Sequence, residues 1–173
     1  SVADRMVATG RNPGDAYYWR ALNYARLKDD ARAWDDVERA ATLLANADVP
    51  KLAGIVAINR RDFAVARARL ELAMTRRRGD CETAFYLQSV LAEQRDWEPT
   101  ARVAADAAAC FEAEEAQLRQ ELDATDSLPM TPERRARHVA RRETQLANDA
   151  RMRVTAWFNA AAANFNLTRR DEA

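Results

Sequence analysis

One pattern of bulky and small residues recurs along this sequence at fixed spacing, and it restricts the fold more than any other feature. The stretches that carry it are 17–24, 50–57, 85–92 and 157–164. Small or medium apolar residues follow the first three stretches at i, i+4 and i+7, beginning at Ala33, Ala66 and Ala101. Because residues four apart share one face of a helix, each stretch predicts two packed helices. The period of 33 to 35 residues indicates a repeat architecture.

Each stretch has one small residue at which a second helix is expected to approach most closely. These residues are Ala21, Gly54, Ser89 and Ala161. Short polar segments lie between the two helices of each pair and predict turns. They are residues 28–30, 60–62, 95–96 and 168–171. Asp62 and Asp96 are placed as N-caps of the helices that follow.

The composition favours helices throughout. The chain has only four glycines and five prolines among 173 residues, with abundant alanine and no strand-like alternation. The sequence therefore predicts an all-α fold. Arginine supplies 25 of the 27 basic residues, which we attribute to the codon bias of a GC-rich, bacterial genome.

The pattern resembles the tetratricopeptide repeat, whose 34-residue signature places W-x₂-L-G-x₂-Y before A-x₃-F. Trp157 and Ala161 match its start, and Gly54, Ala66 and Leu70 match the second repeat. Arg20 and Gln88 stand where the family has leucine, and Asn164 stands where it has tyrosine. The resemblance implies a right-handed superhelical solenoid of antiparallel helix hairpins.

On this interpretation the whole chain, 1–173, is one solenoid. Its expected segments are repeats at about 14–46, 47–80 and 82–111, an irregular hairpin at 112–150 and a partial repeat at 154–173. Residues 2–10 resemble the end of a second helix, and Ala173 the start of another. Terminal repeats normally carry a polar cap, so we expect a fragment of a longer array, or ends covered by another copy.

The middle of the chain is irregular. Between Trp97 and Thr125 nothing breaks a helix after Pro99, so either one long helix runs here or two helices meet near Phe111. The segment DSLPMTP at 126–132 predicts a loop. Thr131 is expected to cap a helix that begins at Pro132.

That last helix is expected to have a boundary near Asn148 and Asp149. Charge is segregated on the two sides of the loop, with a net of −5 over 111–126 and +4 over 132–142. An antiparallel hairpin brings these segments together. Internal ion pairing is the favoured interpretation, and docking patches for charged partners are the alternative.

The sequence argues against catalysis and against a cofactor. The single histidine, His138, lies in an arginine-rich helix, and the glycines are too scattered for a phosphate-binding loop. Two cysteines 29 residues apart lack the spacing of a zinc site. No apolar run is long enough to span a membrane. We therefore expect a protein that is not an enzyme, with no cofactor and no membrane span.

Cys81 and Cys110 are expected at neighbouring ends of the third helix pair, where a disulfide is geometrically feasible. A disulfide would indicate an oxidising compartment, the periplasm or cell envelope. Two reduced, buried thiols in a cytoplasmic protein are the alternative.

The family resemblance implies that the first helix of each pair lines a concave groove. By helical phase, the groove residues are Tyr18, Leu22, Arg26, Lys51, Ile55, Ile58, Asn59, Tyr86, Val90, Gln94, Phe158 and Phe165. The leading hypothesis is a scaffold that binds a peptide or helix of another protein there.

Two other functions stay open at this point. The first is self-assembly into homo-oligomers through uncapped ends. The second is RNA binding by the arginines at 76–78 and 134–142. Equal numbers of basic and acidic residues, 27 of each, weigh against a nucleic-acid partner.

Overall fold

The computed structural model describes Arg5 and residues 12–171, and within these residues the chain is helical and contains no strand. The all-α prediction is confirmed. The helices are α1 Pro13–Arg26, α2 Asp30–Leu43, α3 Asp48–Asn59, α4 Phe63–Arg76, α5 Cys81–Glu93, α6 Trp97–Asp123 and α7 Pro132–Asp171, with a 3₁₀ turn at Thr125–Ser127. Contacts divide the chain into two compact units, Ser1–Arg95 and Asp96–Ala173.

In the first unit, consecutive helices pack against one another from α1 to α5. In addition, α1 contacts α3 and α3 contacts α5, whereas the backbones of α2 and α4 stay apart in the described residues and Arg69 of α4 reaches Glu38 of α2 with its side chain, at 2.7 Å. The first helices of the pairs therefore form one layer, and α2 and α4 lie outside it. This arrangement brings equivalent positions of α1, α3 and α5 next to each other.

The turns of the first unit share one geometry. Lys28, Arg61 and Arg95 each have a positive φ, of 61°, 60° and 57°. Lys28 N donates to Ala25 O and the next amide donates to Tyr24 O, which is the Schellman pattern. The turn at Arg61 repeats both bonds. The spacing of 33 and 34 residues between these turns shows that the backbone follows the repeat seen in the sequence.

Aspartate begins the helix after each of these turns. Asp29 accepts from the backbone N of Arg32 and Asp62 from that of Val65. Asp80 does the same for α5, accepting from Thr83 N at 2.8 Å. The predicted N-cap at Asp62 is confirmed, and Asp96 occupies the N-cap position of α6.

Close helix packing depends on small residues, as the sequence predicted. Ala21 is fully buried, and Ala33, Val37 and Ala40 of α2 lie in the same core cluster. Gly54 is also buried, and a Cβ built on it would lie 2.6 Å from Cγ of Leu70 in α4. The approach of α4 to α3 therefore requires a residue without a side chain at position 54.

Two residues that depart from the family pattern have polar partners. Arg20 donates from Nε to Asp36 Oδ2 at 2.6 Å and from Nη2 to Oδ1 at 2.8 Å. Asp36 is 2% exposed, so the ion pair joins α1 to α2 at a buried position. Gln88 is buried and donates to Ser89 Oγ. These polar contacts replace the apolar contacts that leucine would make.

The second unit is a hairpin of two long helices, and of the two alternatives left open for residues 97–125 it has the single long helix. Phe111 is buried inside α6, which continues to Asp123 as one helix. The helix α7 continues through Asn148 and Asp149, so the boundary expected there is wrong. No glycine or proline interrupts the chain between 133 and 171, and alanine favours continuation. The predicted start at Thr131 and Pro132 is confirmed, since Thr131 Oγ1 accepts from Arg134 N.

The turn predicted at 168–171 is also wrong. Thr168 Oγ1 donates to the carbonyl of Asn164, four residues earlier, as in a continuing helix. Ala161 is exposed and does not admit a second helix among the described residues. The helix end expected at 2–10, apart from the helical Arg5, and Ala173 lie outside the described residues.

Ion pairs join the two helices of this hairpin, as expected from the charge segregation. Arg153 Nε lies 2.6 Å from Glu115 Oε1, and Glu115 is 2% exposed. Nearer the loop, Arg142 lies 2.9 Å from Glu121. The acidic and basic segments are thus partly used for pairing within the unit.

Candidate partner-binding surface

Nine of the predicted groove residues form three rows across α1, α3 and α5 of the first unit. Each row takes one residue from each helix, at intervals of 33 and 35 residues. Row 1 is Tyr18, Lys51 and Tyr86; row 2 is Leu22, Ile55 and Val90; row 3 is Arg26, Asn59 and Gln94. Because these three helices form one layer, the rows lie side by side on it.

Row 1 is built around the ammonium of Lys51. Its Nζ lies 3.0 Å from Glu82 Oε2 and 3.3 Å from Asp80 Oδ2, and these carboxylates stand at the start of α5. Close by, Arg77 donates to both carboxylate oxygens of Asp48, at 2.8 and 2.9 Å. Acidic and basic groups from three helix ends therefore form one network beside the two tyrosines.

The electrostatics of the tyrosines show that they adjoin this network. Burial, and then the Asp48 carboxylate, raise the pKa of Tyr18 above its ordinary value. Burial and the Glu82 carboxylate raise the pKa of Tyr86 in the same way. Both phenols are consequently neutral at physiological pH and can donate or accept a hydrogen bond.

Lys51 and Asp80 are held in their ionised forms. Partial burial disfavours the charged form of Lys51, but Glu82 and Asp80 outweigh it and raise the pKa of the ammonium. Burial opposes ionisation of Asp80 too, but the Thr83 N–H and Lys51 outweigh it and lower the pKa of this carboxyl. Lys51 is therefore a cation with two carboxylate partners already in place.

Row 2 is apolar and row 3 is polar. Leu22 packs against the core cluster, and Ile55 and the adjacent Ile58 are half-buried. Val90 is 1% exposed, so it supports the surface from beneath and is not available to a partner. In row 3, all three side chains are exposed.

The amides of row 3 contact neighbouring helices. Asn59 Nδ2 donates to Asp30 Oδ1 at 2.9 Å, and Arg67 Nη1 donates to Gln94 Oε1 at 3.5 Å. The surface thus changes from an aromatic and charged edge, through an apolar centre, to a polar edge.

Phe158 and Phe165, also predicted for the groove, lie on α7 in the second unit. They are 70% and 63% exposed. Cys81 is buried at the start of α5, and Cys110 lies within α6. The proposed disulfide between them stays a prediction.

Sequence reasoning missed a small pocket in the first unit. It has a volume of about 170 Å³ and is lined by Trp34, Ala57, Arg60 and Asp62. The guanidinium carbons of Arg60 and Arg69 lie 5.0 and 5.9 Å from the centroid of the Trp34 ring. The arginine at the predicted turn 60–62 was the available signal, but the ring that Arg60 and Arg69 meet depends on how α2 packs beside α3 and α4.

No protein-family model matches this chain, and a search of curated proteins gives no significant match. Among the described helices none combines the length and the apolar character needed to cross a bilayer.

Proposed function

We propose that this chain is a non-catalytic interaction scaffold that binds a peptide or helix of another protein across rows 1, 2 and 3. The observation that carries the proposal is the alignment of these rows on three helices, with Tyr18, Ile55 and Tyr86 partly exposed beside one another. Aromatic and aliphatic side chains placed in this way suit an amphipathic partner segment.

The same observations support a tetratricopeptide-like, right-handed solenoid as the architecture. Hairpins of 12 to 14 residues per helix, the repeated Schellman turns and the close approach at Gly54 are all features of stacked helix pairs. A concave face formed by the first helices would place the three rows where a partner binds.

The charges of row 1 define the chemistry of the partner. Lys51 is engaged by Asp80 and Glu82, so it does not offer a free cation for a terminal carboxylate. Glu82 keeps 48% of its side chain exposed and lies beside two tyrosine rings. This end of the surface suits a cationic side chain of the partner, which can meet both the carboxylate and an aromatic face.

An RNA partner has less support. Arg76 donates to the carbonyl of Asn46, and Arg77 is paired with Asp48, so two of the three arginines in that run serve contacts within the unit. The formal net charge of zero points in the same direction.

The test is a pull-down with the chain carrying Tyr18→Ala, Ile55→Ala and Tyr86→Ala together. We expect at least a tenfold loss of partner recovery, since the three changes remove the aromatic and apolar contacts. The matched control is Leu27→Ala with Leu72→Ala, two exposed apolar residues of the same unit. Equal recovery by both variants, with unchanged helix content, would reject this surface.

A further inference from the structure

A second exposed surface lies on α7, in the second unit. Four large apolar side chains stand exposed within twelve residues: Val154 at 63%, Trp157 at 51%, Phe158 at 70% and Phe165 at 63%. At 100° per residue they fall within an arc of about 100° on one side of the helix. The buried residues Ala156, Ala160 and Ala163 lie on a different side. We call this set the bulky stripe.

The same side of α7 is lined by small residues in its preceding half. Ala136, Ala140 and Ala147 are exposed and share the arc of the bulky stripe. Glu143 and Ala150 follow Ala136 at intervals of seven residues, so they lie on the same side of the helix. One helix face therefore carries small residues, interrupted by Glu143, along its first half and large apolar residues along its second.

In the first unit, the equivalent face of α1 is covered by another helix. Trp157 and Ala161 occupy the repeat positions of Tyr17 and Ala21. In α1 those two residues pack against α2, and Ala21 is fully buried. Equivalent positions on α7 are exposed, so the bulky stripe has the character of a helix-packing face.

We propose that the occupant of this face is the α7 of a second copy of the chain, packed antiparallel about a two-fold axis near Ala150 and Arg151. In this register the residue numbers of facing positions sum to about 301. Phe165 faces Ala136 of the other copy and Val154 faces Ala147, so large side chains meet small ones twice. Trp157 lies over Thr144, and Phe158 lies over the aliphatic part of Glu143.

The available area agrees with a dimer of this kind. With aromatic side chains of about 150–250 Å² each, the bulky stripe exposes roughly 450 Å². A stable interface uses about 800 Å² from each partner. The exposed alanines of the first half and the aliphatic stems of the flanking arginines supply the remainder over about 45 Å of helix.

Charge complementarity supports the antiparallel register. Glu133 and Arg169 are both exposed and lie on the same flank of the face. Their numbers sum to 302, so each meets the other across the interface, twice by symmetry. Only Arg151 meets its own copy, close to the axis, where like charges oppose association. The chain as a whole carries no net charge that would keep copies apart.

This inference goes beyond the proposed groove function, because it uses residues of the second unit only. The two can therefore fail separately. Loss of the dimer leaves partner recovery through rows 1, 2 and 3 as a separate measurement.

The experiment is sedimentation velocity of the full chain between about 1 and 100 µM. We expect the mass to rise from 19.5 kDa towards twice that value. Phe158→Glu and Ala140→Glu, which act on opposite halves of the face, should each weaken the dimer at least tenfold. Thr155→Ala, an exposed change outside the stripe, should not. A mass that stays at the monomer value at 100 µM would overturn the proposal. A dimer that is weakened by neither glutamate substitution would overturn it as well.

Three further variants test the register. Glu133→Arg and Arg169→Glu should each weaken the dimer several-fold, and the two changes in one chain should restore it. Arg151→Gln should strengthen it, because the like charges at the axis are removed. If the double variant is as weak as either single one, the antiparallel register is wrong. Circular dichroism of each variant confirms that helix content is unchanged.

Discussion

The tripeptide Arg-Arg-Asp occurs at 60–62 in the first unit and at 169–171 in the second, and the two copies adopt different structures. At 60–62 the chain turns: Arg61 takes a left-handed conformation and Asp62 caps the next helix. At 169–171 the same letters continue α7. The tripeptide is the same, but in the first unit α4 follows it and packs on α3.

The turn at 60–62 has a cost that its surroundings offset. A left-handed residue other than glycine is unfavourable by about 1 kcal/mol, and the turn interrupts the backbone bonds of the helix. In return α4 packs on α3, burying Ala66, Leu70 and Ala73. Around α7, no following helix packs on the face of Trp157 and Ala161 among the described residues. Within the described residues α7 continues as a helix to Asp171.

The largest expected effect tests whether close packing is what separates the two units. Gly54→Val should lower the free energy of unfolding by about 3 kcal/mol, because a side chain there would clash with Leu70. Ala161→Val, at the equivalent position on α7, should change it by less than about 0.5 kcal/mol. Urea denaturation measures both. Similar losses for the two variants would show that the positions are packed alike.

In the second unit, the loss of a buried charge should lower the free energy of unfolding more than the loss of an exposed one. Glu115→Gln should cost about 2 kcal/mol, since Arg153 would keep its charge without its partner in a partly buried place. Glu121→Gln, which alters the more exposed pair with Arg142, should cost less than about 1 kcal/mol. Thermal unfolding of the two variants gives the order. Equal shifts in Tm would contradict the difference in burial.

A third prediction concerns the cap and charge partner at the start of α5. Asp80→Ala should cost about 1 kcal/mol, because Thr83 N and Lys51 lose their acceptor. The pKa of Asp80 is lowered in the folded chain, so its contribution is present above about pH 4. It is lost as the pH falls through the lowered pKa.

Asp80→Asn is the control for that prediction. Asparagine can still cap the helix, so this variant should keep most of the stability at neutral pH but lose the pH dependence that the wild type shows below about pH 4. Unfolding measured in urea at several pH values distinguishes the two. A wild-type curve that runs parallel to that of Asp80→Asn would show that the charge contributes nothing.

The smallest expected effect is a gain in stability. Lys28→Gly should raise the free energy of unfolding by about 0.5 kcal/mol, because glycine adopts φ of 61° without a steric penalty. Leu27→Gly, one residue earlier at φ of −83°, should instead lower it. The opposite signs, read from urea midpoints, test the repeated turn directly. Two losses would mean that the left-handed conformation is not what limits stability there.

The sequence by itself determined the helices of the first unit, most of their caps and the positions where they touch. Its evidence was the spacing of Ala21, Gly54 and Ser89, and of the aspartates after the turns, because such signals act within a few residues of the chain. It also determined the pairing of acidic and basic segments in the second unit, since a hairpin must bring adjacent segments together.

Only the tertiary structure decided where the helices of the second unit end and which residues face solvent. Both depend on whether another helix buries a given face, and the residues of that face alone do not tell which helix packs on it. The same pattern of a bulky and a small residue is covered at Tyr17 and Ala21 but exposed at Trp157 and Ala161. The charge network of row 1 likewise joins residues from α3, the end of α4 and the start of α5, which only packing brings within hydrogen-bonding distance.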